Sequence, residues 1–197
     1  MRLVMSRFAA EILGEAGAHL VTREAGERLR TAVEAVLATA PAGAVVTLDF
    51  SGAGILDYSC ADECLAKLVA RLAAGEQGDR FLVVAGLTES QRENAQVALE
   101  RRRLSMLLVG PGGSWECLGT ITPYLRQTLE FVMLRDGVSA RELAGELGLE
   151  LTAASTRLIN LHRCRLATRR ERTMTEGGRE FVYSGLCRAG SGGGDAA

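Results

Sequence analysis

The sequence predicts an α/β domain followed by a smaller α+β domain. Residues 1–119 alternate short apolar runs of strand length with amphipathic helical patterns, whereas beyond Gly119 helices follow one another and lead into a polar hairpin. A chain of 197 residues, 47% of them hydrophobic, can bury one large core or two small ones. We therefore expect domains at 1–119 and 120–188, and a disordered tail at 189–197, where AGSGGGDAA has nothing to bury.

The first domain shows the alternation most clearly. Its apolar runs have the length of buried strands, and the stretches between them carry apolar residues at three- and four-residue spacing, which predicts helices packed on a sheet. Thr88, with Gln91 three residues later, has the capping-box pattern of a helix start. The predicted strands are 45–50, 81–85, 104–109 and 114–118, and the predicted helices are 23–38, 61–74 and 89–103.

Three predicted helices open the second domain. Pro123 stands at a favoured first-turn position, and Thr152 is the predicted N-cap of the third helix. Ser139 and Glu142 have the capping-box pattern for the second helix. The predicted helices are 123–135, 140–147 and a third that starts at 152.

The last two of these helices have a helix-turn-helix pattern. A short helix is followed by a tight turn at Gly148 and by a helix with one polar, Arg-bearing face. Ala154, Leu158 and Leu161 form the apolar face of that helix. The sequence that follows this helix predicts a β-hairpin. Its strands are 166–172 and 179–184, joined by Gly177-Gly178.

From Val138 to Tyr183 the chain resembles winged-helix bacterial regulators of the MarR and ArsR kind. The resemblance rests on VSARELAGELGL, LTAASTRLINLHRCRLATRRE and GGREFVYSGL, and on the apolar spacing of Leu158, Leu161 and Leu166. Many relatives have Gly where this chain has Arg165, so we expect Arg165 in a left-handed backbone conformation. The resemblance implies a winged helix-turn-helix domain whose partner is double-stranded DNA.

Charge is distributed unevenly along the chain. The formal net charge is −1, so any basic surface must be local, and between 151 and 172 six arginines stand against one acid, Glu171. The resemblance implies base-edge contacts from the third helix and phosphate contacts from nearby arginines. The implied base-contacting residues are Ser155, Thr156, Arg157 and Asn160, and the implied phosphate-contacting residues are Arg163, Arg169, Arg170 and Arg172. The alternative is a winged helix that contacts protein, with the arginines as a solvated surface.

The segment 48–68, LDFSGAGILDYSCADECLAKL, resembles part of a STAS domain, the fold of anti-sigma-factor antagonists. Asp57 and Ser59 match the family's Asp-Ser-Ser-Gly motif, whereas Tyr58 and Cys60 do not. The match is closer to a STAS-like group with Ser-Phe-Ala-Asp-Glu, from which residues 59–63 depart only at Cys60. The resemblance covers residues 1–119, strongly at this motif and weakly elsewhere.

Ser59 is the residue to which the STAS resemblance assigns a role. It implies that Ser59 accepts phosphate from a partner kinase at a helix N-terminus, where free N–H groups and the helix dipole favour an anion. Asp57, Asp62 and Glu63 would repel that phosphate. The alternatives are a structural capping pair of Ser59 with Asp62 and a site for a ligand or another partner.

Other classes of protein lack support in the sequence. Five scattered cysteines, no signal-peptide pattern and no apolar run of membrane-spanning length predict a cytoplasmic protein without a membrane partner. Cys60 and Cys64 are interpreted as buried small residues rather than a metal or oxidant site, and His162 as a partly buried helix residue. With His19 the only other histidine, we expect no enzyme activity, no metal and no cofactor.

The sequence therefore predicts a bacterial transcriptional regulator. A STAS-like domain would sense a signal, dimerise or dock a partner, and a winged helix would bind DNA as part of a homodimer. The alternatives are a partner-switching protein that works with a kinase-like ATPase, or an accessory subunit of a larger bacterial assembly.

Overall fold

A five-stranded sheet organises the first part of the chain in the computed structural model, which describes residues 1–14, 19–173 and 177–187. The strand order follows the chain order, β1 to β4 are parallel, and β5 pairs antiparallel with β4. This mixed sheet with its helices confirms the predicted α/β class. The predicted tail at 189–197 lies outside the described residues. The strands are β1 (Arg2–Val4), β2 (Val45–Asp49), β3 (Phe81–Ala85), β4 (Ser105–Val109) and β5 (Trp115–Gly119).

The helices between these strands cover one face of the sheet. Each connection between parallel strands leads to the adjacent strand, always towards the same edge of the sheet. Because such β–α–β connections almost all have the same handedness, their helices lie on one face of the sheet. Those helices share a core with even-numbered strand residues such as Leu48, Val84 and Met106. The helices are α1 (Met5–Leu13), α2 (Arg23–Thr39), α3 (Tyr58–Ala61) continued by a π-helical turn (Asp62–Ala66) into α4 (Lys67–Ala73), and α5 (Glu89–Arg101).

Some of these elements were predicted and others were not. The capping box of Thr88 and Gln91 at the start of α5 is confirmed. Strand β1 was not predicted, because three residues are too few to show a period, and neither α1 nor the π-helical turn was predicted. Gly26 of α2 explains how the π-helical turn can lie so close to α2. A Cβ on Gly26 would stand 2.7 Å from Glu63 Cβ and 2.9 Å from the carbonyl oxygen of Cys60.

Three helices and a small antiparallel sheet form the rest of the chain. The capping box of Ser139 and Glu142 is confirmed, and Gly148 ends its helix with φ 61°. The prediction that Thr152 caps the following helix is wrong. That helix begins at Leu151, with Glu150 as N-cap residue and no side-chain cap bond from the described residues. The elements are α6 (Pro123–Met133), β6 (Val138–Ser139), α7 (Ala140–Leu147), α8 (Leu151–Arg163), β7 (Ala167–Thr173) and β8 (Arg179–Gly185), with strand order β6-β8-β7.

A second hydrophobic core joins these elements to the sheet. Odd-numbered strand residues, among them Phe81, Val83 and Leu107, pack with residues of α6 and α8 such as Leu129 and Leu158. The five-stranded sheet is therefore covered on both faces. This explains why every residue of β3 is buried and apolar, since a strand covered on both faces has no polar side. Within the described ranges, no helix is long and apolar enough to span a bilayer.

Candidate nucleic-acid interface

Helix α8 presents a polar outer surface between two flanks. Ala154, Leu158 and Leu161 are fully buried, which confirms the predicted apolar face. At 3.6 residues per turn, Thr156 and Asn160 lie on the side opposite this face. Thr156 is exposed and its hydroxyl donates to the Thr152 carbonyl at 2.8 Å, whereas Asn160 is half-buried. This outer surface therefore holds two of the four residues predicted to contact bases.

The other two predicted base-contacting residues lie on the flanks of α8. Ser155 faces the β7–β8 hairpin. Arg157 faces α6, where its Nη1 donates to Gln127 Oε1 at 3.1 Å and its guanidinium carbon lies 5.6 Å from the Tyr124 ring centroid. The structure thus separates Ser155 and Arg157 from each other and from the outer surface of α8.

The hairpin arginines differ in whether an acid neutralises them. Arg169 is exposed and stacks over Phe181, with its guanidinium carbon 4.5 Å from the ring centroid. Arg170 is exposed and forms no ion pair with any described residue. Arg172 pairs with Glu180 at 2.7 Å, directly across the strand pair. Two of the three predicted hairpin cations are therefore free of a carboxylate partner within the described chain.

Arg163 lies apart from the hairpin. It is the last residue of α8, and it lines a cavity with Arg103 and Thr122 on the side of the molecule where α4 and α6 meet. The four arginines predicted to contact phosphates therefore do not form one surface. The locally basic run between 151 and 172 is weaker in three dimensions than in sequence, because Asp79 pairs with Arg165 and Glu180 with Arg172.

A groove lies between α8 and the hairpin, and we call it the hairpin groove. Its volume is about 300 Å³. Leu151 and Phe181, at its edges, are 50% and 49% exposed, which is high for side chains of their size. This groove was not predicted, although the alternation of side chains along β8 places Phe181 on the same face as the buried Tyr183. The groove is lined by Ala140, Arg141, Leu151, Ser155, Ile159, Arg169, Glu180, Phe181 and Tyr183.

The motif at α3 has a different geometry from the predicted one. Asp57 is the N-cap of α3, where its Oδ1 accepts from the Cys60 backbone at 2.7 Å and its Oδ2 from the Thr22 backbone at 3.3 Å. The alternative of a Ser59–Asp62 capping pair is therefore wrong. Ser59 is a half-buried residue in the first turn of α3, close to the helix N-terminus as the STAS resemblance implies.

The buried carboxylate of Asp62 pairs with the more exposed Arg102 rather than contributing to a site around Ser59. Its two oxygens accept hydrogen bonds from Arg102 at 2.6 and 3.0 Å. The bonds from Arg102 hold the pKa of the Asp62 carboxyl below its usual value, against the opposing effect of burial. The neighbouring Glu63 is also buried and pairs with Arg23 at 2.7 Å and with Lys67. The pairs with Arg23 and Arg102 form only when α2 and the end of α5 pack against the π-helical turn, so no local sequence pattern indicated them.

The remaining candidate residues are in structural positions. Cys60 and Cys64 are buried, and a hydrogen bond with Cys60 together with burial raises the pKa of the Cys64 thiol. His162 is partly buried as predicted, its Nδ1 lies 3.0 Å from the Ala167 carbonyl oxygen, and burial lowers its pKa. Among the described residues, no group of three or more His, Cys, Asp or Glu side chains is arranged to hold a metal ion.

Comparison with protein-family models gives no match for this chain, and comparisons with curated proteins and with solved structures give none either. The function of the protein must therefore be inferred from its own residues and their geometry.

Proposed function

We propose that residues 120–188 form a winged helix-turn-helix domain that binds duplex DNA, attached to a STAS-like domain that regulates it. In this proposal α7 and α8 are the helix-turn-helix pair and the β7–β8 hairpin is the wing. The observation that carries the proposal is the polar outer surface of α8 beside the exposed, unpaired cation of Arg169 on β7. This combination supplies base-reading groups and a phosphate-binding group on neighbouring elements.

The roles proposed for individual residues depend on where their side chains lie. Thr156 and Asn160 are the proposed base-edge contacts, because their side chains lie on the outer surface of α8. Arg169 and Arg170 on the hairpin are the proposed phosphate contacts. Arg141 of α7 joins them, because it is exposed, lines the hairpin groove and forms no ion pair with a described residue.

The salt dependence of binding tests this proposal. The affinity for a labelled random-sequence duplex, measured by fluorescence anisotropy, should fall steeply between about 50 and 200 mM salt. Each phosphate contact contributes a slope of about −0.9 to log K against log salt, so Arg169→Ala with Arg170→Ala should make the slope about two units shallower. A slope near zero, or a double variant with unchanged slope, would contradict DNA binding.

A control variant separates this effect from loss of net charge. Arg7 is an exposed arginine of α1, on the face of the sheet opposite α8. Arg7→Ala removes a positive charge far from the proposed interface and should leave the salt slope as it is in the unchanged protein. We further propose that the protein binds as a homodimer, because helix-turn-helix proteins generally occupy two half-sites, and sedimentation with and without DNA measures the stoichiometry.

The hairpin groove favours a second candidate function, in which the same surface binds protein. Exposed Leu151 and Phe181 beside Ile159 are more apolar than a phosphate-binding surface requires. In this candidate the chain is a partner-switching protein whose Ser59 is phosphorylated by a kinase-like ATPase. Incubation with that ATPase and ATP should add one phosphate to the intact mass, and Ser59→Ala should abolish the addition. An unchanged mass would contradict this candidate.

A further inference from the structure

An apolar cavity lies where the two halves of the chain meet at one end of the five-stranded sheet. Its volume is about 360 Å³, within the range of small-molecule binding sites. Its walls come from α4, from the segment that enters β4, from the segment between β5 and α6, and from the end of α8. We call it the interlayer cavity.

The walls of the interlayer cavity are mostly apolar. Hydrocarbon surface comes from Val69 of α4, from Leu125 of α6 and from Leu104, which precedes β4. Ile121 adds to it from the segment that leads into α6. Val69 is 4% exposed and Leu125 is 7% exposed, so the apolar floor belongs to the packed interior rather than to the outer surface. Such walls favour an organic ligand with an apolar body.

Two arginines also line this cavity, Arg103 and Arg163. Neither guanidinium forms an ion pair or a side-chain hydrogen bond anywhere in residues 1–14, 19–173 or 177–187. The described lining contains no acidic residue, so the positive charge of the two arginines is not neutralised within the cavity. An apolar body next to two free guanidinium groups matches a molecule with one carboxylate, since guanidinium groups bind carboxylates with strong charge-assisted hydrogen bonds.

The backbone at Arg103 is a second, independent observation. Arg103 has φ 55°, a left-handed conformation that glycine adopts freely and that strains other residues. It follows the end of α5, and its backbone N–H donates to the Glu100 carbonyl at 2.9 Å. Glycine would satisfy this turn better than arginine. Strained residues of this kind concentrate at functional sites, and the strained residue here is one of the two arginines that line the cavity.

We propose that the interlayer cavity binds an amphipathic monocarboxylate, with its apolar body between α4 and α6 and its carboxylate at Arg103 and Arg163. Arg163 and Cys164 end α8, so a bound ligand touches both the sheet layer and the helix proposed to read DNA. A consequence that rests on the proposed function is that the ligand changes the affinity for DNA. Binding itself requires no DNA and is tested without it.

Octanoate and 1-octanol, which share an apolar chain and differ in the charged end, are suitable probes. Titration calorimetry of the full-length protein should show saturable binding of one octanoate per chain and at least tenfold weaker binding of 1-octanol, as expected for loss of a charge-assisted contact. Equal affinities would overturn the assignment of a carboxylate. No saturable binding at millimolar octanoate would overturn the site altogether.

Variants at the two arginines locate the binding. Arg103→Gly removes the guanidinium and relieves the backbone strain, so it should weaken octanoate at least tenfold while the protein melts no earlier than the parent. Arg163→Ala should weaken octanoate similarly. Arg101→Ala, two residues from Arg103 but outside the described cavity lining, is the matched control and should leave octanoate affinity unchanged. Unchanged affinity in both Arg103→Gly and Arg163→Ala would overturn the proposal.

Cysteine alkylation gives a second measurement that does not depend on protein variants. Cys164 lines the interlayer cavity, whereas Cys187, also partly buried, lines a separate pocket near Met133. Saturating octanoate should slow iodoacetamide modification of Cys164, followed by peptide mass spectrometry, and leave Cys187 unchanged. Equal rates at Cys164 with and without octanoate would place the ligand elsewhere and overturn the proposal.

Discussion

The guanidinium of Arg165 donates to the Asp79 carboxylate, with Nη1 and Oδ1 separated by 3.0 Å. Arg165 follows α8, and Asp79 precedes β3, so this contact joins the proposed DNA-binding half to the sheet half. The Nε of Arg165 also donates to the Leu72 carbonyl at 2.8 Å. As expected from the sequence, Arg165 has a left-handed backbone, with φ 58°. An arginine stands where glycine would relieve strain because its side chain links the two halves.

Substitution of Arg165 separates the backbone effect from the side-chain effect. Arg165→Ala should lower the free energy of unfolding by about 2–3 kcal/mol, because it removes the hydrogen bonds that a charged guanidinium donates to Asp79 and to the Leu72 carbonyl. Arg165→Gly should be less destabilising by about 1 kcal/mol, because glycine accepts the positive φ. Urea unfolding measures both. Equal stability of the parent and Arg165→Ala would show that the contact does not hold the halves together.

Two glycines in helices provide a matched pair for testing the packing of α2. Gly26→Ala should destabilise the protein by about 1–3 kcal/mol, because the new Cβ would lie 2.9 Å from the Cys60 carbonyl oxygen, a backbone atom that cannot easily move. Gly145→Ala in α7 meets nothing within 4 Å and should stabilise by about 0.5–1 kcal/mol. Thermal unfolding compares the two variants. A stabilising Gly26→Ala would contradict the close approach of α2 to the π-helical turn.

The start of α7 gives a test of capping. Ser139→Ala should cost about 1 kcal/mol of unfolding free energy, because the buried Ser139 hydroxyl accepts from the Glu142 backbone at 3.3 Å. Thr152→Ala should change stability by less than about 0.5 kcal/mol, because Thr152 caps nothing and is exposed. Chemical denaturation distinguishes the two outcomes. A larger loss at Thr152 than at Ser139 would contradict the helix boundaries described above.

The Asp62–Arg102 pair makes stability depend on pH in a defined direction. Hydrogen bonds from Arg102 place the folded-state pKa of Asp62 below the 3.8 of an ordinary aspartate. Its contribution to stability is therefore present above about pH 5 and is lost as pH falls through 3.8 and then through the lower folded value. Asp62→Asn should lose most stability near neutral pH, and the difference from the parent should shrink in acid. A difference that grows as pH falls would contradict this pairing.

Local patterns in the sequence were sufficient to predict many of the helices and strands. The capping boxes at Thr88 and Ser139 depend on residues three apart, and the apolar face of α8 depends on spacing within one helix, so neighbouring residues determine them. The mistaken cap at Thr152 has the same origin. Thr152 has the right chemistry for an N-cap, but Leu151 lies inside the helix and the preceding Glu150 takes the cap position.

Local sequence patterns could not predict the contacts between segments that are distant in the chain. The six arginines counted between 151 and 172 indicate a basic surface, but the hairpin register places Glu180 opposite Arg172, and the tertiary fold places Asp79 beside Arg165. The same limit applies to Asp62, whose partner Arg102 is 40 residues away. The interlayer cavity arises only when α4, α6 and α8 meet, so no single stretch of sequence contains its signal.

Selection of bound sequences from a random duplex pool at physiological salt tests the DNA proposal most directly. The unchanged protein should enrich a two-fold symmetric consensus with half-sites about 10 base pairs apart, as expected for a dimer with α8 in successive major grooves. Thr156→Ala with Asn160→Ala should lose the consensus while retaining salt-dependent binding through Arg169 and Arg170. A pool without enrichment, or a consensus unaffected by the double variant, would contradict the proposal that α8 reads DNA.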